Sequence, residues 1–254
     1  MRLGAAILVL LMAIAAGSSW LAGNPFSTAA PPLLPPGWDY PFGTDDLGRD
    51  VLSGVIHGAR TSLYAGVSAA TLAAALGLLV GGFSAIRRGA ADQVLMRGTD
   101  FVQALPRFLL VVTIVSLFGH SFALIILTIG LTEWPVTARL FRAQALTTLE
   151  REFVLAARAA GAGNLAILWR HVLPAALPVM GAQLSYHAGG AILIESGLSL
   201  LGLGDPSVMS WGTLLGGALR FMREAWWMSV FPGFAVTLTV LGCNLVAEGA
   251  TRRR

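Results

Sequence analysis

Apolar residues are grouped along this chain into five long blocks that contain neither arginine nor an acidic residue. A bilayer core about 30 Å thick is crossed by about 20 helical residues, so each block is long enough to span it. Because a spanning segment must satisfy its own backbone hydrogen bonds, the blocks predict helices rather than strands. The blocks are Leu3 to Ala22, Thr61 to Ile86, Phe108 to Thr132, Val172 to Ile194 and Ala225 to Ala247. This pattern predicts an all-α, polytopic membrane protein.

The third block can be read as one helix, or as two helices that turn at residues 119–121. With one helix, ten arginines would lie outside the membrane and seven inside, against the tendency of basic residues to stay on the cytoplasmic side. With two helices, at residues 100–118 and 122–139, thirteen lie inside and four outside, and Arg107 and the tail 252–254 are among the thirteen. We therefore predict six transmembrane helices with both termini in the cytoplasm.

The first block also resembles a secretory signal peptide, because Arg2 precedes the apolar run and small residues occur from Ala15 to Ser19. Its length of about 20 residues favours a retained membrane anchor. Proline and glycine are frequent from Gly23 to Ala59, which predicts an extended external loop. The expected organisation is an anchor helix with its loop at residues 1–60, followed by a five-helix core at residues 61–254.

Composition narrows the classes of function. The chain is 56% hydrophobic and 12% charged, far more apolar than a soluble domain. All 17 basic residues are arginine, and the net charge of +4 reflects membrane topology rather than a nucleic-acid partner. Without lysine the chain can form neither a P-loop for ATP nor a Schiff base. Cys243, the single cysteine, allows neither a disulfide framework nor a cysteine metal site.

Candidate catalytic and metal-binding patterns are also missing from the sequence. No G-x-S-x-G elbow of a serine hydrolase occurs. The four histidines, His57, His120, His171 and His187, have no partner at a metal-ligand spacing such as H-E-x-x-H. We expect no enzyme activity, no metal site and no cofactor in this chain.

Three ionisable residues fall in or beside the predicted spans and are candidates for lining a transport pathway: Glu133, His187 and Glu195. Intramembrane ionisable groups are functional hypotheses by default, because their desolvation is costly. The alternative for each is a hydrogen-bonded role between helices.

The most informative segment, Glu150 to Pro174, is too polar to span a membrane and too patterned for a random loop. Acidic residues open its first helix and Arg158 lies late in it, while Gly161 and Gly163 end it, which predicts two short helices joined by a tight turn. Apolar residues recur at helical spacing and could dock into a groove of a partner protein. They are Phe153, Ala156, Ala157 and Ala160. The alternative is a helix lying on the membrane interface.

The spacing of this segment resembles the EAA loop of ABC importer permeases: Ala156-Ala157, then Gly161, then His171-Val-Leu-Pro174. Leu155 stands where the name-giving glutamate of the motif would be, and Arg170-His171 is similar to the peptide-transporter branch. Independent similarity to that branch continues along the chain. It comprises Phe42 to Ser53, Gly58 to Ser62, Leu198 to Gly204, Ser210 to Leu214, Ala225 to Trp227, Phe231 to Gly233 and Leu238 to Leu241.

The resemblance implies a type I importer permease that works as one of a heteromeric pair, with two cytoplasmic ATPase subunits and an external solute-binding protein. ATP and Mg would be bound by the ATPase subunits, and the cargo would be a peptide, nickel or a similar small solute. The loop would couple the chain to the ATPase. The coupling residues that the resemblance implies are Glu150, Phe153, Ala156, Ala157, Arg158, Gly161, Gly163, Arg170, His171 and Pro174.

Two other functions stay open at this stage. An ion-driven secondary transporter or a membrane enzyme could use Glu133, Glu195 and His187. A secondary transporter more often shows paired broken helices or internal repeats, and neither is evident in the sequence. Neither alternative explains the patterned loop. We expect a multi-pass protein of the cell inner membrane.

Overall fold

The computed structural model describes residues 2–251, and within them the regular structure is helical. The helices are α1 Arg2–Ala16, α2 Ser18–Leu21, α3 Val51–Arg87, α4 Gly89–Ala104, α5 Arg107–Phe118, α6 Phe122–Leu149, α7 Glu152–Ala159, α8 Asn164–Ile167, α9 Leu173–Leu200, α10 Trp211–Ala218 and α11 Trp227–Thr251. A π-turn, Leu168–Val172, joins α8 to α9, and a short 3-10 turn, Leu219–Phe221, follows α10. The all-α prediction is confirmed.

Helix α3 lies at the centre of the bundle and packs against α6, α9 and α1. Its 37 residues extend over about 55 Å, longer than a bilayer core. Asp50 caps its start by accepting hydrogen bonds from the backbone N–H groups of Leu52 and Ser53. Small residues of α3 allow close packing against α6: a Cβ on Gly77 would lie 2.5 Å from Cβ of Thr137.

Four helices of the described residues are long and apolar enough to cross a membrane: α3, α6, α11 and the continuous helix Asn164–Leu200, of which α9 is the main part. Helices α4 and α5 together could form a fifth, broken span, because they meet at a 79° bend. Helix α1 is apolar but has only 15 residues. By length and composition the described residues thus give four or five crossings, and the predicted count of six requires α1 as well.

The helix boundaries differ from the prediction around residue 106. The predicted turn at residues 119–121 is present, between α5 and α6. The helix expected from residue 100 instead breaks at Pro106 and restarts at Arg107, because proline lacks the N–H needed within a helix and disfavours helical geometry in the residue before it. The break leaves α5 only 12 residues long, about 18 Å.

Proline also distinguishes the spanning helices from one another. Helices α6, α9 and α11 contain Pro135, Pro178 and Pro232 in their interiors, and each proline removes one backbone hydrogen bond. Helix α3 contains no proline along its length. Among these four helices, α3 is therefore the one whose backbone hydrogen bonds are not interrupted by proline.

The predicted external loop is held against the start of α11. The Thr44 hydroxyl donates to the carbonyl of Pro31 and accepts from the N–H of Leu34, both at 2.8 Å. The indole of Trp227 donates to the carbonyl of Thr44 at 3.0 Å. The expected boundary at residue 60 falls inside α3, which begins at Val51. The arginine tail, residues 252–254, lies outside the described residues.

Candidate functional site

The predicted coupling loop contains a short helix that ends in a glycine turn. Helix α7 is followed by Gly161 at φ +90°, a left-handed conformation that glycine adopts without strain. The N–H of Gly161 donates to the carbonyl of Arg158, and the N–H of Ala162 donates to the carbonyl of Ala157, both at 3.0 Å. This pair of hydrogen bonds is a Schellman motif, which satisfies the last carbonyls of the helix. The turn predicted at Gly161 is present.

One residue anchors α7 to the bundle. Val154 is fully buried in an apolar cluster with Phe141 of α6, Ile167 of α8 and Val172. Burying a valine side chain contributes about 1.5–3 kcal/mol. The short helix is thus held in place by a contact on one face, which leaves the opposite face free.

The exposed face of α7 carries the residues that the sequence pattern singled out. Phe153 is 48% exposed, Ala156 and Arg158 are exposed, and Ala157 is half-buried. The ring of Phe153 lies 5.8 Å from that of His171, which joins the two ends of the loop. The remaining predicted coupling residues are also at the surface: Glu150, Gly161, Gly163, Arg170 and Pro174.

The second predicted short helix of the loop differs from the expectation. Helix α8 runs through the π-turn into α9, so that residues 164–200 form one continuous helix. Gly163, in extended backbone, precedes this helix. The loop is therefore a single free helix placed between the ends of two long helices, α6 and α9.

Behind the loop, three helices are tied together by one acidic residue. Asp92 of α4 forms a bidentate ion pair with Arg142 of α6, with oxygen–nitrogen distances of 2.6 and 2.5 Å. The same carboxylate accepts a short hydrogen bond from Ser84, near the end of α3. Arg139 forms a second ion pair, with Asp100 of α4. Helix α4 is thereby fixed to the part of α6 that leads into the loop.

Two of the three pathway candidates meet inside the bundle. Glu133 of α6 and His187 of α9 are 1% and 2% exposed, and Oε2 of the glutamate lies 3.2 Å from Nδ1 of the histidine. The Nε2 atom of His187 lies 3.0 Å from both the Thr137 hydroxyl and the Gln183 amide nitrogen. The imidazole of His187 therefore lies between the carboxylate of Glu133 and the polar side chains of Thr137 and Gln183.

Arg107 completes this cluster. Its Nη1 atom lies 2.8 Å from Oε1 of Glu133. The charge of the buried carboxylate is thus balanced by a cation, as intramembrane ionisable groups require. The charge count assigned Arg107 to the cytoplasmic side, and in the structure its guanidinium is paired with the twelfth residue of a 28-residue helix.

The third candidate, Glu195, belongs to a different constellation. Its Oε1 atom accepts hydrogen bonds from Ser199 at 3.1 Å and from Ser210 at 2.7 Å. Ser210 is the N-cap of α10 and also accepts from the N–H of Thr213. A carboxylate beside a helix N-terminus interacts favourably with the helix dipole. In this structure Glu195 fixes the start of α10 against α9.

Sequence reasoning missed three members of the buried cluster: Arg107, Thr137 and Gln183. A signal for two of them was present, since Thr137 is four residues after Glu133 and Gln183 is four residues before His187. Residues four apart lie on the same face of a helix, so both pairs could have been placed on facing stripes.

Comparison with known proteins gives the family. The family model described as "Binding-protein-dependent transport system inner membrane component" matches residues 42–253, most of the chain. The chain belongs to this family. Members are membrane components of transport systems rather than enzymes, and the family implies a membrane complex with ATPase and binding-protein partners.

Two relatives are named as peptide permeases. The Di/tripeptide transport system permease protein DppC of Pseudomonas aeruginosa is 38% identical over 224 residues, which cover 85% of this chain and 74% of the relative. A protein of Brucella suis biovar 1, whose name marks it as a proposed peptide transport system permease, is 37% identical over 251 residues. That alignment covers 98% of this chain and 84% of the relative.

A solved structure shares the fold. In inward-facing structures of the MetNI methionine ABC transporter, one chain superposes on this chain with a TM-score of 0.59 at 17% sequence identity. The match covers 78% of this chain and 97% of that chain. The fold is that of a type I ABC importer permease, and this chain is a permease subunit of an ABC importer embedded in the membrane.

Proposed function

We propose that this permease is one of two different permease subunits of an ATP-driven importer that moves peptides delivered by an external binding protein. Peptide is chosen over nickel because the relatives described above are named as peptide or di/tripeptide permeases. ATP and Mg would be bound by two cytoplasmic ATPase subunits, since this chain has no lysine for a P-loop.

The observation that carries the proposal is the geometry of α7. The helix is anchored by Val154 and presents Phe153 and Ala156 at the surface, while Arg158, four residues after Val154, is exposed near the end of the helix. A short helix with an exposed apolar face suits a helix-in-groove contact, in which residues three and four apart insert into a partner. The partner in this proposal is a cleft on the ATPase, and the contact converts nucleotide-driven closure into movement of α6 and α9.

The placement of the loop also sets the proposed topology. If α7 contacts a cytoplasmic ATPase, the ends of α6 and α9 that flank it are cytoplasmic, and the loop at residues 22–50 is external. Both chain termini are then cytoplasmic, in a multi-pass protein of the cell inner membrane. The proposed permease core begins at Val51 rather than at residue 61, because α3 begins there.

Replacement of single alanines on α7 tests the proposal. Ala156→Trp places a bulky side chain at an exposed position of α7, and Ala157→Trp places one at a half-buried position. We expect both variants to insert into the membrane but to lose co-purification of the ATPase in mild detergent and ATP-dependent uptake into proteoliposomes. The matched control is Ala91→Trp on the exposed surface of α4, which should retain both.

A backbone change at the glycine turn gives a second test. Proline cannot adopt the φ of +90° found at Gly161, so Gly161→Pro should displace α7 and uncouple transport from ATP hydrolysis. If ATPase binding and uptake were unchanged in Ala156→Trp, Ala157→Trp and Gly161→Pro, the assignment of α7 as the coupling helix would be wrong. Uptake that needs an ion gradient and no ATP would instead favour a secondary transporter.

A further inference from the structure

Arg107 occupies an unusual position for a charged residue in a membrane protein. Its partner Glu133 is the twelfth residue of α6, about 16 Å along the helix from Phe122. If Phe122 lies at the edge of a bilayer core about 30 Å thick, the ion pair lies about halfway across it. The Arg107 side chain is nevertheless 42% exposed, whereas Glu133 is buried.

An exposed guanidinium at that depth cannot face lipid without a large cost, so it faces a water-filled path or protein. Within residues 2–251, the ion pair of Arg107 is with Glu133, through a distance of 2.8 Å between Nη1 and Oε1. A guanidinium has five N–H donors in a planar fork, more than one carboxylate can engage, so with the side chain 42% exposed some donors face away from Glu133. Available donors on a fixed cation are what a carboxylate ligand requires.

The backbone beside Arg107 also carries positive charge. Arg107 is the first residue of α5, and the helix begins there without a side-chain cap, after the bend at Pro106. The first N–H groups of a helix have no intrahelical partner and carry partial positive charge. Broken membrane helices direct such half-helix starts at anionic groups of transported solutes. The cation and the helix start therefore lie at one point and have the same sign.

Glu133 fixes the guanidinium in this place. Both carboxylate oxygens are buried, and each is approached by a basic nitrogen without forming a hydrogen bond of good geometry. A Cβ on Gly190 would lie 3.5 Å from Oε1, an ordinary contact distance, so the backbone of α9 lies close to the carboxylate. The pair is thus held by charge more than by directed hydrogen bonds, and a second carboxylate could share the arginine with Glu133.

We infer that Arg107 and the start of α5 form a subsite for the carboxylate of the transported solute, with Glu133 as the residue that positions Arg107. The inference rests on the proposed function, in which the solute is a peptide and carries a terminal carboxylate. In the empty protein Glu133 balances the charge of Arg107. When the solute passes, its carboxylate takes the exposed donors.

The test compares peptides with and without that charge. The full importer, with its ATPases and binding protein, is reconstituted in liposomes and offered a mixture of di- and tripeptides in free-acid and C-terminally amidated forms. Uptake of each form is measured by mass spectrometry of the vesicle contents. The ratio of acid to amide uptake is compared between variants with the same binding protein, so selection by the binding protein cancels.

We expect Arg107→Gln to lower the acid-to-amide ratio about tenfold, the size expected for loss of one charge-assisted hydrogen-bonded contact. Arg107→Lys should lower the acid-to-amide ratio by a smaller factor, because lysine keeps the positive charge. Glu133→Gln should also lower the ratio, by a smaller factor, since the guanidinium is then no longer held in position by its ion pair. Arg139→Gln, which removes the surface pair with Asp100, is the matched control and should leave the ratio unchanged.

Each outcome bears on one of the two proposals. If Arg107→Gln lowers uptake of acids and amides equally, Arg107 only joins α5 to α6, and the inference is overturned while the proposed function stands. If Arg107→Gln does not assemble, the ratio in Glu133→Gln decides: no change overturns the inference. If the unmodified importer takes up no peptide with ATP, the proposed function fails.

Discussion

Replacement of Gly81 by alanine should loosen the bundle at its tightest contact. A Cβ on Gly81 would lie 2.3 Å from the carbonyl oxygen of Ala138 and 3.1 Å from the carbonyl carbon, whereas ordinary contact begins at 3.4 Å. The obstructing atoms belong to the backbone of α6, so no rotamer change can relieve them. Helices α3 and α6 must therefore separate by about 1 Å, and overpacking of this kind costs about 1–3 kcal/mol.

Thermal unfolding of the purified chain in mild detergent measures this cost. Cys243 is the only cysteine and is 4% exposed, so a thiol-reactive fluorogenic dye reports unfolding directly. One kcal/mol shifts the midpoint by about 2–4 °C in chains of this size, so Gly81→Ala should lower it by about 2–12 °C.

The matched control for Gly81→Ala is Gly98→Ala in α4. A Cβ on Gly98 meets nothing within 4 Å, and alanine favours helix by about 1 kcal/mol over glycine. We expect its midpoint to stay level or rise slightly. A midpoint of Gly81→Ala equal to that of the unmodified chain would refute the close packing of α3 on α6, and so would an equal fall in Gly98→Ala.

Three further predictions follow from contacts elsewhere. Hydrogen bonds from Ser207 and from the N–H of Phe122 hold the pKa of the Asp205 carboxyl below its usual range, so its contribution to stability is present at neutral pH and is lost as the pH falls below about 4. Asp205→Asn should therefore flatten the fall in melting midpoint between pH 5 and pH 3. Trp211, fully buried, should cost about 3–5 kcal/mol on replacement by alanine, seen as a large fall in the midpoint. Val154→Asp should release α7 and abolish ATPase co-purification while most of the chain stays folded.

Each of these three changes has a control at a more exposed residue. Asp39→Asn in the exposed loop should leave the pH dependence intact, Trp226→Ala at a half-exposed indole should lower the midpoint far less, and Leu155→Asp should keep α7 attached. If Asp205→Asn melted with the pH profile of the unmodified chain, or Trp226→Ala were as damaging as Trp211→Ala, the contacts described would not be the cause. Release of α7 by Leu155→Asp as well would contradict Val154 as the anchor.

The sequence predicted those features that depend on neighbours along the chain. Long apolar blocks predict helices. The turn after Phe118 contains Gly119, and α7 ends at Gly161, where the backbone adopts a left-handed conformation that glycine tolerates. Both turns depend on residue types at single positions and can be predicted from them. The helix predicted at residues 100–118 runs through Pro106, because the charge count that defined it assigns arginines to sides of the membrane and does not locate helix breaks.

The buried cluster depended on tertiary structure. Glu133 and His187 are each identifiable from the sequence as ionisable residues in apolar surroundings, but their contact requires α6 and α9 to face each other at one register. Arg107 reaches Glu133 only because α5 restarts at depth after the bend. Glu195 has a similar sequence context to Glu133, and its partners on α10 become evident only once the fold is known.

The absence of proline from the long helix α3 has a mechanical consequence. A helix of about 55 Å without proline resists bending, whereas its neighbours α6, α9 and α11 each have a weak point at a proline. Its first residue is fixed to the external loop through Asp50, and its far end is fixed to α4 through Ser84. The two ends of α3 should therefore behave as the ends of a strut, whose length stays constant through the transport cycle while the surrounding helices flex about it.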